Sequence, residues 1–215
     1  MNMRTDALRP TPRRLFGVGA VVALMVAMAL DTTYLDTDGA VAVSAPTFSP
    51  TAFAEEEFPR VAGDIRDAAV PLPVLAEALE DDTAAAGEQF GLDLGAGRFV
   101  FSVEASGSVA SVDDEYIELA VPELPDALVR IPLGRALSGT PVRDATGTIS
   151  FGDFPDQTAY QSVAAEFTRL MRETVLGPLE MAALQGEDLL VRGAYISGGP
   201  PDAFLIQPVE IEVIS

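Results

Sequence analysis

The residue types best suited to ligand chemistry in this chain lie in one stretch, residues 139–157, with the sequence GTPVRDATGTISFGDFPDQ. An arginine offers a planar fork for carboxylates or vicinal hydroxyls, and carboxylate and amide groups suit the hydroxyls of a sugar. A nearby aromatic ring could supply a stacking face, from Phe154 or from Tyr160. The candidate binding residues are Arg143, Asp144, Asp153, Phe154 and Gln157.

A structural role for the same residues is the alternative. Arg143 and Asp144 are adjacent, and adjacent side chains of an extended chain point to opposite faces. One of the two would then pair with Asp153 across a turn, while Phe154-Pro155 sets the start of a helix. Charged corners of this kind commonly hold turns, so the structural interpretation is favoured and ligand binding stays open.

The residue types that are missing exclude most catalytic and metal chemistry. The chain contains no Cys, His or Trp, and all 13 of its basic residues are Arg. This excludes Cys/His metal sites, thiol and Ser–His nucleophiles, lysine Schiff bases and the phosphate-binding P-loop. An enzyme would have to use a carboxylate pair, for which Asp144 and Asp153 are the candidates, or a divalent cation held by acids. With 33 acidic residues some pair is unavoidable, so we predict a non-enzyme without cofactor or metal.

The net charge of -20 and the isoelectric point near 4.1 argue against a nucleic-acid partner. Binding to nucleic acid depends on Lys and Arg that neutralise phosphates.

The N-terminus predicts export from the cytoplasm. Residues 1–14 hold four Arg against one acid, and residues 15–30 (LFGVGAVVALMVAMAL) are an uninterrupted apolar run. As a helix this run spans about 24 Å, against about 30 Å for the hydrocarbon core, which is short for a membrane helix and long for a signal core. A retained anchor is favoured because Arg14 can snorkel, and cleavage after Ala29 is the alternative. In both cases the chain after Asp31 lies outside the cytoplasm.

The chain therefore divides into four segments. A cytoplasmic basic segment, 1–14, precedes the signal anchor or transmembrane helix, 15–30. A flexible spacer follows at 31–50, rich in Thr, Ala, Ser, Asp and Pro and without apolar periodicity. Residues 51–215 form one extracytoplasmic domain, on a membrane-bound or a secreted, periplasmic chain.

Apolar periodicity predicts an α+β fold for this domain. The predicted helices are 59–70, 73–79, 82–90 with Gly91 as a left-handed stop, a long one at 160–175 and a short one at 179–184. The predicted strands are 99–105, 117–121, 129–133, 149–151, 189–195 and 204–213. A helix between the third and fourth principal strands is the plan of an OB-like antiparallel β-barrel, which is the favoured form. Element order alone also allows an open sheet with a helix on one face.

The 139–157 stretch resembles a bacterial family of predicted periplasmic lipoproteins of unknown function. Its members carry Gly-Thr-x-x-Arg-Asp-Ala, then Ile-x-Phe-x-x-Phe-x-x-Gln and a long helix; residues 184–186 (LQG) and 207–211 (QPVEI) also look like the family. The resemblance covers the chain from about Phe53 to the end. It implies an accessory role in carbohydrate uptake, because the family's genes commonly lie beside those of sugar ABC transporters. The implied partners are a sugar-binding protein or permease of such a transporter, or a carbohydrate.

Two positions depart from the family pattern. Many members end the signal in a lipid-modified Cys, whereas residues 29–34 are ALDTTY here, so a protein anchor would replace the lipid. Asp156 stands where Asn is usual. The function expected is therefore that of a non-catalytic, membrane-anchored extracytoplasmic accessory protein of carbohydrate transport. A carboxylate-dependent glycoside hydrolase and a purely structural envelope interaction module are the alternatives.

Overall fold

The structure is a computed structural model that describes residues 48–200 and 202–214. The described residues form one compact unit. The predicted basic segment, the apolar run 15–30 and nearly all of the predicted spacer lie outside the described residues. Among the helices that are described, none is both long and apolar enough to cross a bilayer.

In the described residues, eight strands form one sheet around a single long strand, β3. The strands are β1 (Val70–Pro71), β2 (Gly91–Gly95), β3 (Arg98–Val112), β4 (Tyr116–Ala120), β5 (Leu128–Pro132), β6 (Asp188–Ile196), β7 (Ala203–Leu205) and β8 (Gln207–Ile214). On one side β3 pairs antiparallel with β6; on the other it pairs with β2 and β1 over its first half and with β4 over its second. β5 pairs with β4, β7 runs parallel to β5, and β8 runs antiparallel to β6.

Five α-helices and three short helical segments accompany the sheet in the described part of the chain. The α-helices are α1 (Pro50–Asp67), α2 (Leu72–Asp81), α3 (Thr83–Phe90), α4 (Gly139–Asp144) and α5 (Gln157–Leu170). A π-helical turn, Met171–Leu176, extends α5, and single 3-10 turns occur at Phe151–Asp153 and Met181–Ala183. The predicted helix between the third and fourth principal strands is therefore present, preceded by the short α4.

The two edge strands of the sheet are consecutive in the chain. The strand order is β7-β5-β4-β3-β6-β8, and only Ile206 separates β7 from β8. Ile206 is fully buried, and its N–H donates to the carbonyl of Arg130 at 2.9 Å. Within this one residue the chain changes from the parallel neighbour of β5 to the antiparallel neighbour of β6, so the predicted single strand 204–213 is divided here.

The apolar core has two parts because successive side chains of β3 point to opposite faces of the sheet. Val100 faces a cluster under α1, α4 and α5 that includes Ile65 and Phe167. Phe101 faces a second cluster, which α2 supplements with Leu72 and Leu75. Each fully buried side chain of this size contributes about 1.5–3 kcal/mol to folding, so both faces stabilise the domain.

Several helix boundaries differ from the prediction, and the short helix predicted at 179–184 is only the 3-10 turn Met181–Ala183. The first helix begins at Pro50 rather than Pro59, because Ser49 caps it by accepting a hydrogen bond from the N–H of Ala52 and a proline suits the first turn. Gly91 does not end α3 in the left-handed region; its φ is -121°, and it begins β2, a strand that was not predicted.

The predicted strand at 149–151 is wrong. Ile149 is buried in a loop, and Phe151 begins a 3-10 turn and is half exposed. The preceding residues 139–144 form a helix and not an extended segment, because Ser138 caps their first turn. The alternating apolar residues of 149–151 therefore cover the core from a loop.

Candidate functional site

Arg143 lies on α4 and is 5% exposed. Its Nε and Nη2 donate to the two carboxylate oxygens of Asp144 at 2.7 and 3.0 Å, and its Nη1 donates to the carbonyl oxygen of Tyr160 at 3.0 Å. The guanidinium carbon lies 3.5 Å from the centre of the Tyr160 ring, a cation–π contact. All three guanidinium nitrogens are therefore bonded within the protein.

Two predictions about this cluster are wrong. Arg143 and Asp144 do not point to opposite faces, because they lie on a helical turn rather than an extended segment and form a two-point ion pair. Asp153 pairs with neither of them. Its Oδ2 accepts from the backbone N–H and the hydroxyl of Ser150 at 2.9 and 3.1 Å, which holds its own 3-10 turn.

The start of α4 is fixed by close approach to α5 and β8. A Cβ on Gly139 would lie 2.1 Å from the carbonyl oxygen of Ala164, so no other residue fits without displacement. The Gly139 N–H donates to the Thr168 hydroxyl at 2.8 Å. Gln207 of β8 is buried, and its Oε1 accepts from the Ser138 N–H at 2.8 Å. These contacts place Arg143 over the α5 residue Tyr160.

Phe154 is a core residue. It is 8% exposed, and its ring centre lies 5.2–5.3 Å from those of Phe48, Phe53 and Tyr160. Its faces are used inside this aromatic cluster, so it offers no open stacking surface to a ligand.

Two grooves adjoin Tyr160 and divide the remaining candidate residues between them. The first, of about 520 Å³, contains Asp144 and the second, of about 460 Å³, contains Arg143 and Gln157. The first is lined, besides Asp144, by the polar residues Asp93, Arg98, Thr140 and Tyr160 and by the aliphatic residues Leu92, Leu94, Ile149 and Ile196. Asp153 lines neither groove. Asp144 and Asp153 therefore do not form the shared acidic site that hydrolysis would require.

The Tyr160 hydroxyl donates to Asp144 Oδ1 at 3.1 Å. Burial raises the pKa of Tyr160, the charge of Asp144 raises it further, and the charge of Arg143 opposes both. The phenol therefore remains protonated at neutral pH and keeps its role as a donor.

Asp93 and Arg98 were missed by the sequence analysis. They flank the turn of the β2–β3 hairpin, in which Gly95 and Gly97 have positive φ values and Asp93 accepts from the Gly95 N–H at 2.6 Å. Gly95-Ala96-Gly97 is a turn signal next to a predicted strand, and it could have revealed this hairpin. Across the described residues, no three acidic side chains converge on a point that could hold a metal ion.

Comparison with solved structures supports an OB-like α+β fold, but the favoured closed antiparallel barrel is wrong, because the described sheet is open and includes two parallel strand pairs. A crystal structure described as that of an OB-fold protein from Thermotoga maritima matches with a TM-score of 0.64 at 16% sequence identity, over 78% of this chain and 99% of that one. At this identity the likeness shows the fold alone. Comparison with curated proteins found no match.

The family predicted from residues 139–157 is confirmed as well. The family model described as "Predicted periplasmic lipoprotein (DUF2291)" matches residues 20–212. That description supports an extracytoplasmic location. Because the match covers most of the sequence, this chain belongs to the DUF2291 family of predicted periplasmic lipoproteins.

Proposed function

We propose that this protein is a non-catalytic accessory protein of carbohydrate ABC transport. Residues 15–30 anchor it to the membrane, and the groove beside Asp144 binds a carbohydrate on the extracytoplasmic side. The observation that carries the proposal is the composition of that groove, where Asp93, Arg98 and Asp144 border an aliphatic surface.

This groove offers both kinds of hydrogen-bonding group that sugar hydroxyls need. Asp93 and the remaining lone pair of Asp144 Oδ2 accept, Arg98 donates, and Thr140 can do both. Its volume of about 520 Å³ lies within the range of small-molecule sites. Arg143 supports the site indirectly, because its two hydrogen bonds hold the Asp144 carboxylate in one orientation before a ligand binds.

A glycoside hydrolase finds no support in this geometry. Arg143 donates hydrogen bonds to both oxygens of Asp144, Ser150 donates to Asp153, and the two carboxylates do not line a common groove.

Binding is tested by saturation-transfer NMR and calorimetry on the full-length protein with ribose, glucose and galactose. Arg98 forms no ion pair with any described residue, so Arg98→Gln should leave folding intact and weaken binding by about tenfold, as expected for loss of a charged hydrogen bond. Arg135→Gln is the matched control, because the Arg135 side chain is 96% exposed and lies outside the groove. Absence of binding of all three sugars, or equal loss in both variants, would contradict the carbohydrate site.

The transporter association is tested separately by isolating the tagged protein from detergent-solubilised membranes. We expect a sugar-binding protein or a permease to co-purify, and the full-length protein to remain in the membrane fraction after a carbonate wash. A soluble, processed protein that isolates alone would contradict both the anchor and the association.

A further inference from the structure

A third groove, the acidic groove, has a volume of about 600 Å³ and lies between α2, the β4–β5 loop and the β6–β7 loop. Its apolar lining includes Leu79, Leu124, Tyr195 and Phe204, and its acidic residues are Glu80, Glu123, Asp126 and Asp202. It shares no lining residue with the groove beside Asp144. Its chemistry is therefore independent of the proposed carbohydrate site.

The four carboxylates of the acidic groove carry uncompensated charge. None of them takes part in an ion pair among the described residues, where seven arginines pair with other acids. The Arg98 side chain, its Nε included, lies beside Gly198 of the acidic groove, but it forms no ion pair with the four carboxylates and lines the groove beside Asp144. Four negative charges around one concave surface attract a cation and repel an anion.

Tyr195 gives this groove a second, independent feature. The residue is 5% exposed, and its ring packs against Phe101 and Phe204 at 6.1 and 5.2 Å between ring centres. Its hydroxyl has no hydrogen-bond partner in the described part of the chain, where every fully enclosed side-chain nitrogen or oxygen has one. The hydroxyl is therefore reached from the groove that Tyr195 lines. Burial raises the pKa of Tyr195, so this group is neutral at physiological pH.

We infer that the acidic groove is a binding site for a small organic cation, an ammonium group carried on an apolar body. The carboxylates attract the charge, the half-buried Leu79 and Leu124 and the exposed Pro125 receive the apolar body, and the Tyr195 hydroxyl offers a hydrogen bond. The volume lies in the small-ligand range, and a concave site of this kind encloses a small molecule better than an extended polymer.

Three probes of one shape test the charge requirement: 2-phenylethylamine, 2-phenylethanol and phenylacetate. They share an aromatic body and are respectively cationic, neutral and anionic at pH 7. We expect saturation-transfer NMR and calorimetry on the full-length protein to show binding of the amine at least tenfold tighter than the alcohol, with no binding of the acid. The amine affinity should fall as NaCl is raised from 20 to 500 mM, because salt screens exposed carboxylates.

Two sets of variants place the site. The groove set replaces all four acids (Glu80→Gln, Glu123→Gln, Asp126→Asn, Asp202→Asn) and should weaken amine binding at least tenfold. The matched set makes the same change of net charge at exposed acids outside the groove (Glu56→Gln, Asp67→Asn, Glu88→Gln, Glu187→Gln) and should weaken it less than threefold. Tyr195→Phe keeps the ring and should weaken binding severalfold.

Equal binding of the amine and the alcohol would overturn the inference, as would a failure of the wild-type protein to bind the amine. Equal loss in the groove set and the matched set would also overturn it, because the attraction would then come from the overall charge. Circular dichroism of each variant confirms folding, and all eight replaced acids are exposed. The amine measurements use neither Arg98→Gln nor a sugar, so the two proposals fail separately.

Discussion

The Arg143 cluster and the acidic groove contain similar polar residues, but they differ in whether these residues are hydrogen-bonded within the protein. Around Arg143 the three guanidinium nitrogens, both Asp144 oxygens and the Tyr160 hydroxyl are bonded to one another or to backbone. Around the acidic groove the carboxylates and the Tyr195 hydroxyl have no partner among the described residues. The first region uses polar groups to hold two helices together, and the second leaves them available.

This difference shows that a distinctive sequence motif need not be the ligand site. Arg143 is the central residue of the motif, yet its hydrogen-bonding capacity is directed inwards and it contributes to a groove mainly by orienting Asp144. The acidic groove is assembled from five separate segments that no single motif connects.

The largest expected effect is that of Arg143→Ala. Removal of the cation leaves the 16% exposed Asp144 carboxylate without its partner and removes the contact with the Tyr160 ring, at a cost of about 3 kcal/mol in the free energy of unfolding. Urea unfolding followed by circular dichroism measures it. Arg135→Ala is the control and should change stability by less than about 0.5 kcal/mol, since its ion pair is exposed. Similar values for the two variants would mean that the buried ion pair of Arg143 stabilises the fold no more than an exposed one.

Replacing one glycine in each of the two regions by alanine tests the same comparison. Gly139→Ala forces a Cβ against Ala164 and Phe167 and should cost about 1–3 kcal/mol. Gly199→Ala in the acidic groove meets nothing within 4 Å and should be neutral within about 0.5 kcal/mol. Thermal unfolding of the two variants side by side checks this, and a neutral Gly139→Ala would mean that α4 and α5 can separate without cost.

Removal of one hydroxyl from each region gives the smallest effect. Tyr160→Phe breaks the hydrogen bond to Asp144 and should cost about 1 kcal/mol at pH 7. Tyr195→Phe removes a hydroxyl without a described partner and should leave stability unchanged to within a few tenths of a kcal/mol. The two free energies of unfolding in urea decide this, and an equal cost would show that Tyr195 is bonded in solution.

The same two tyrosines predict a loss of stability in alkali. Burial raises the pKa of both phenols in the folded protein, so the unfolded chain ionises first, from about pH 10. Their contribution is complete below that pH and is lost as the pH rises through the folded pKa values. The double variant Tyr160→Phe/Tyr195→Phe should lose less stability than the wild type between pH 8 and pH 11 in urea unfolding. An identical loss in both proteins would contradict this assignment.

Much of the sheet could be predicted because its signal is local. Alternation of apolar residues located β3, β4, β5, β6 and the β7–β8 region. Between two of these strands Asp113 holds the β3–β4 turn by accepting from the N–H groups of Glu115 and Tyr116. The failure at 149–151 has a physical reason. Ile149 is apolar because a loop also covers the core, and three residues cannot distinguish that from a strand.

The candidate site was only partly predictable. Residue types identified Arg143, Asp144 and Gln157 as candidate binding residues, but not that Asp144 would line the same groove as Arg98 of the β2–β3 hairpin. Asp153 and Phe154 were chosen by type, and the structure uses one in a turn and the other in the core. Position in the sequence alone does not determine which neighbouring elements a side chain will contact.

The sequence by itself determined the chemistry available to this protein: a basic N-terminus with an apolar run, an acidic remainder, and no side chains beyond carboxylates and guanidinium groups that could supply charge. It also determined the family and the α+β plan, because motif and periodicity are properties of neighbouring residues. Only the tertiary structure decided which charged side chains are paired within the described part of the protein and which are not. That depends on contacts such as those of Arg143 with Tyr160, and of α2 with the β6–β7 loop, between segments far apart in the chain.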